Sequence, residues 1–229
     1  MKTIGLIGGI SWQSTIEYYR IINEAVNART NGEHTARVLI NSLDFGDVEY
    51  CMERKDYDGL TRLLAIAAEN LEQAGAELIL IGANTMHYFV PGIRNAIHIP
   101  IISVIDATID MIRSKKMDRV GLLATKFTME EEFYKKDFHL NRIEILIPPE
   151  EERNFIQHVI FQELHKSVLN PDSKQSMLSI IDSLVSKGAQ GIILGCTEIP
   201  LLIKQSDCEI PVFDTTEIHA LAAVEQAFS

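Results

Sequence analysis

Apolar and polar positions along this chain fall into a repeating block. A short apolar run of three to six residues is followed by a longer stretch with helical spacing. In the first half the runs are residues 2–7 (KTIGLI), 38–40, 78–81 (LILI) and 101–105; in the second they are 120–123, 143–147, 191–194 (GIIL) and 210–214. Short apolar runs bounded by glycine or proline read as strands covered on both faces. Between them, residues 14–27 place Ile16, Tyr19, Ile22 and Ala25 near helical spacing. Residues 60–74 form an amphipathic helix that stops at Gly75, and 174–187 one that stops at Gly188. Residues 151–166 and 217–228 also read as helices, Pro91 and Pro100 bracket another, and Asn170-Pro171-Asp172 breaks the pattern. The strand at 38–40 ends in Asn41-Ser42-Leu43-Asp44-Phe45, and the polar segment that follows, up to about Gly59, reads as loop-prone.

Strands alternating with helices predict an α/β protein with parallel sheets and right-handed crossovers. The block pattern runs through twice. Residues 75–86 read GAELILIGANTM and residues 188–199 read GAQGIILGCTEI; 188 − 75 and 196 − 83 are both 113. The expected architecture is two pseudo-symmetric lobes, each a small parallel sheet flanked by helices. The first lobe is 1–105, closed by a C-terminal helix 215–229, and the second is 106–214. The repeat predicts two special strand ends that face each other across an interlobe cleft holding the active site.

The chemistry is placed by the strand ending at Cys196. In open α/β sheets ligands sit beyond the carboxyl ends of the strands, and Cys196 stands at such an end. Its counterpart in the repeat is Ala83. Each strand end offers backbone N–H groups with a hydroxyl or amide: Asn84-Thr85 on one side, Thr197-Glu198 on the other. Donors at helix starts suit an anionic ligand. A thiol beside a bound carboxylate can work as acid or base on the neighbouring carbon, and two thiols on opposite faces would invert it. Taken alone, Cys196 reads equally as a small buried side chain, Glu198 as a helix cap, and Gly8-Gly9 as an ordinary turn. His87 reads as a packed or hydrogen-bonded histidine, and Glu130-Glu131-Glu132 as a solvated helix start.

Composition narrows the classes. The chain has 229 residues, a net charge of −11 and a pI near 5.1, which disfavours phosphate backbones and so nucleic acid. No run of about 18 apolar residues occurs, so no membrane span is expected. Three cysteines without framework spacing predict a reducing, cytoplasmic setting. Metal-binding motifs with paired histidines or cysteines are missing, so no metal is expected.

Several short motifs resemble the aspartate/glutamate/hydantoin racemase superfamily, most of all its cofactor-independent amino-acid racemase branch. They are Gly8-Gly9-Ile10-Ser11-Trp12, Asp44-Phe45, Asn84-Thr85-Met86-His87, Thr125 with Phe127-Thr128-Met129, Gly195-Cys196-Thr197-Glu198-Ile199, and Phe213-Asp214-Thr215. The resemblance implies a PLP-independent enzyme with no cofactor, a small amino-acid substrate and a homodimer. It implies Cys196 as the second-lobe acid/base, with Asn84, Thr85, Thr197 and Glu198 holding substrate and Ile10 and Thr125 lining the pocket. Lys166 matches a lysine that acidic-substrate members use for the side-chain carboxylate. Two departures stand out. Ala83 occupies the first-lobe thiol position, which implies a one-thiol, inactive or substrate-trapping variant. Val48 replaces an arginine of aspartate-specific members, which implies a broader substrate range. A single-cysteine decarboxylase of the same superfamily and a non-catalytic small-acid-binding protein are the alternatives.

Overall fold

The computed structural model describes residues 1–229. The chain forms two compact units: Met1–Val104 with His219–Ser229, and Ile105–Ile218. No helix is long and apolar enough to cross a membrane.

The first unit contains β1 (Ile4–Gly8), α1 (Trp12–Arg29), β2 (Val38–Ser42), α2 (Phe45–Glu53), α3 (Tyr57–Gln73) and β3 (Leu78–Ile81). A 3-10 turn (Thr85–Phe89) and α4 (Val90–Ile93) follow. The strands are parallel in the order β2-β1-β3, with Ile7 opposite Ile81. β1 and β3 are buried along their whole length, as expected of strands covered on both faces. One face packs on Leu60, Leu64 and Leu71 of α3, the other on Tyr18 and Ile22 of α1 and on Ala220, Ala223 and Val224 near the C-terminus.

Two expectations for this unit are corrected. The segment from 46 to Gly59 is not all loop, because most of α2 lies within it. The Asp44 side chain caps this helix on the Gly46 N–H at 2.9 Å, and Val48 is buried. A cap and one apolar anchor outweigh its polar, glycine-containing sequence. The expected strand at 101–105 is reduced to a single bridge between Ile79 and Ile101. Pairing ends there because the Val104 N–H donates to His87 Nε2, at 3.2 Å, and the chain turns into α5 (Val104–Ser114).

The second unit continues with β4 (Arg119–Leu123), α6 (Lys126–Glu130), α7 (Glu132–Leu140), β5 (Glu144–Leu146) and α8 (Glu150–His158). It closes with α9 (Pro171–Ser186), β6 (Ile192–Leu194), α10 (Ile199–Leu202), β7 (Val212–Asp214) and the start of α11 (Thr215–Phe228). Its sheet is parallel in the order β5-β4-β6-β7. Glu130, Glu131 and Glu132 are exposed at the α6–α7 junction. The helix expected over 151–166 is interrupted. α8 passes into a π turn (Val159–Glu163) and a 3-10 turn (Leu164–Lys166), and ends at Ser167 in the left-handed region, φ 59°. π turns inside helices recur at functional sites.

His219, on α11, is fully buried in the first unit. Its Nε2 faces the Ile102 carbonyl at 2.8 Å, so that nitrogen carries the proton, and Nδ1 accepts from Tyr18 O–H at 2.8 Å. Burial, reinforced by His87, pushes its pKa from 6.5 down to about 3. The unfolded chain therefore binds more protons between those values, and stability falls as pH drops through that window. The loss is up to about 1.4 kcal/mol per pH unit. Urea unfolding midpoints should decline from neutral pH to pH ~4, and more shallowly in His219→Gln. An equal slope in both proteins would exclude His219 as the source.

Candidate active site

Each unit assembles a set of site candidates at the carboxyl end of its sheet. In the first unit, β1 ends at Gly8 and is followed by Gly9, whose φ is +78°. A Cβ at Gly9 would lie 2.0 Å from the Leu43 carbonyl oxygen, so this tight turn requires glycine. It delivers Ile10, which is buried in the same apolar cluster as Val48; Ala83 packs against that cluster.

The end of β3 is held from several sides. Gly82 N–H donates to Ile7 O at 2.9 Å, and Ser14 Oγ donates to Gly82 O at 2.8 Å. The Ala83 N–H donates to Ile81 O at 2.8 Å. His87 Nε2 accepts from Val104, so its Nδ1 carries the proton and donates to Ala83 O at 3.0 Å. Both His87 nitrogens are thus engaged in holding backbone. Asn84 is buried and its carbonyl accepts from the His87 N–H, while Thr85 is half-buried.

In the second unit, Leu123 of β4 pairs with Leu194 of β6, and both chains continue in step to Thr125 and Cys196. Gly195 permits this: a Cβ there would lie 2.8 Å from Leu122 Cδ1 and 3.1 Å from Ala124 Cβ. The Leu194 carbonyl is pinned by Thr215 Oγ1 at 2.8 Å. Thr125 caps α6 by accepting from the Thr128 N–H.

Cys196, Thr197 and Glu198 are all buried. Cys196 Sγ donates to Glu198 Oε2 at 2.9 Å, and Thr197 Oγ1 donates to the same oxygen at 3.0 Å. Burial first, and then the Glu198 charge and hydrogen bond, hold the thiol pKa well above its ordinary value. Sγ is therefore a protonated donor at rest. On the neighbouring strand β7, opposite Leu194, burial raises the Asp214 carboxyl despite N–H bonds from Thr216 and Glu217.

Lys166 does not join this group: it is exposed, and its ammonium rests on Gln162 Oε1 at 2.8 Å. The neighbouring side chain comes in instead. His165 Nε2 lies 3.6 Å from Glu198 Oε1. Sequence reasoning missed His165; an aromatic at i+4 from Phe161, whose ring it meets at 4.9 Å, was the available signal. Cys51 and Cys208 are half-buried free thiols outside this arrangement.

The chain thus has two α/β units with parallel sheets, and the second presents a carboxylate-bonded thiol at the end of a central strand. The chain belongs to the Asp/Glu/hydantoin racemase family, whose model matches residues 7–223. It is 40% identical to a candidate Asp/Glu racemase from Yersinia pestis, with a TM-score of 0.93 and full coverage of both chains. It is 36% identical to an aspartate racemase homologue from Pyrococcus horikoshii OT3, with a TM-score of 0.88, again over both whole chains. The broad-specificity amino-acid racemase RacX of Bacillus subtilis is 24% identical over 172 residues, 74% of this chain and 73% of that one.

Proposed function

We propose that the chain is a PLP-independent amino-acid racemase or epimerase scaffold that moves a proton at Cα. Cys196 is its acid–base residue, and the second such position is occupied by Ala83. The observation that carries this reading is the Cys196 Sγ–Glu198 Oε2 hydrogen bond at the end of β6, in a family whose relatives include amino-acid racemases.

The chemistry follows from that bond. The thiol first yields its proton, for which Glu198 Oε2 is the acceptor in place; the thiolate then takes a proton from Cα, re-forming S–H, and leaves the electron pair on carbon, where the substrate carboxylate spreads it. Returning a proton from the same sulfur restores the starting enantiomer. The methyl of Ala83 can carry no proton, so the wild-type chain exchanges without inverting. The substrate range is broad. Val48 is buried with apolar neighbours where a carboxylate-binding arginine would restrict the range. An exposed apolar row on α1, Trp12, Ile16 and Tyr19, agrees with a homodimer.

The test is solvent-deuterium incorporation. With the wild-type protein in heavy water, NMR should detect deuterium entering Cα of one enantiomer of a suitable amino acid, without inversion. Tight, reversible binding with no exchange in either enantiomer would instead leave a small-acid-binding protein. A second reading rests on the same protonated thiol. One S–H is sufficient to protonate the enolate left when a substituted malonate loses carbon dioxide. Carbon dioxide release from such a malonate, with no Cα exchange in amino acids, would select it.

A further inference from the structure

Glu198 is 2% exposed and its two oxygens have different surroundings. Oε2 holds the Cys196 and Thr197 side chains. Oε1 is buried without a hydrogen-bond partner. A carboxylate so placed needs a compensating charge. The group facing Oε1 is His165 Nε2, at 3.6 Å, an ion-pair distance. It comes from a separate element, the turn Leu164–Lys166 that follows the π turn. The ring is seated against Phe161 at 4.9 Å and is 17% exposed.

We propose that His165 is the positioning residue of Cys196: its imidazolium pairs with Glu198 Oε1, holds Oε2 on the thiol, and offsets the charge left when sulfur releases its proton. The proposal deepens the acid–base reading above and rests on it. When Cys196 gives its proton to carbon, a C–H bond forms, the S–H bond breaks and sulfur keeps the electron pair. Thiolate and carboxylate then carry two negative charges side by side. An imidazolium on the far oxygen leaves a net single charge. The titratable groups facing one another here are Cys196, Glu198 and His165, with Glu198 the charged group that acts on the sulfur. The Lys166 ammonium is directed to Gln162.

The test reads the sulfur itself and needs no turnover. In a Cys51→Ser, Cys208→Ser background, the rate of Cys196 alkylation by iodoacetamide is measured at about pH 8. His165→Gln is expected to slow it about tenfold, the effect of one pH unit in thiol acidity. His165→Lys, which keeps a cation there, should recover most of the rate. In Glu198→Gln, the same His165→Gln change should alter the rate less than about twofold. Should His165→Gln unfold, His165→Phe, which keeps the contact with Phe161, is the neutral variant compared with His165→Lys. Equal rates in neutral and cationic variants overturn the proposal, as does an equal drop with and without the Glu198 carboxylate. Deuterium exchange at Cα tests the underlying reading separately: a protein that shows the alkylation pattern and no exchange sinks the racemase assignment and leaves the His165 role standing.

Discussion

On the proposed reading, Ala83→Cys is expected to add inversion to exchange, raising racemisation by about 10²–10⁴-fold, the usual contribution of a positioned acid–base group. The backbone around position 83 is already fixed. Ser14 holds the preceding carbonyl, His87 holds the carbonyl of residue 83 itself, and its N–H is bonded to Ile81. The side chain is half-buried, so one added sulfur displaces little. Burial and the absence of an introduced partner leave the new thiol less acidic than an exposed one, so the gain should grow as pH rises above neutrality. Chiral chromatography of L- and D-amino acids, acidic and neutral, measures it. If the variant folds and inverts none of them, position 83 does not serve the carbon that Cys196 serves, and the two-base reading fails.

The residues that were legible in the sequence are those whose physics is local or repeated. Leu78–Ile81 could be read to the residue because an apolar run between Gly75 and Gly82 has few alternatives to a buried strand. The pairing of Cys196 with Ala83 came from a constant offset, which survives whatever the intervening loops do. The parts that escaped depend on contacts between distant residues. Val104 leaves the strand because a histidine 17 positions earlier takes its N–H. α2 exists because an aspartate caps it and Val48 finds a core. The exchange of Lys166 for His165 has the same origin. Which of two adjacent side chains turns inward depends on a π turn and a 3-10 turn in succession, and residue spacing read at a helical period cannot follow that change of phase. The substrate role of Glu198 follows from the family resemblance alone; that its carboxylate accepts from the thiol two residues away is visible only in the structure.

Cys196→Ser is expected to abolish Cα exchange, by at least about 10²-fold, while leaving the fold intact. The two effects separate because of what serine keeps. Its hydroxyl can still donate to Glu198 Oε2 in place of the sulfur, so the buried carboxylate retains a donor and stability should change by about 1 kcal/mol or less. A hydroxyl is a far weaker acid than a thiol, and the burial that already raises the thiol raises it further. It can neither give a proton to a carbanion nor remove one from Cα at useful rates. In the Ala83→Cys background the same change should abolish inversion, because only the introduced sulfur would remain. That protein should exchange the enantiomer opposite to the one the wild type exchanges, since its proton leaves and returns on the other face. NMR of each enantiomer in heavy water reads both outcomes. Unimpaired exchange in Cys196→Ser would remove this sulfur from the mechanism, and exchange of the same enantiomer in both single-thiol proteins would show that the two positions do not address opposite faces of one carbon.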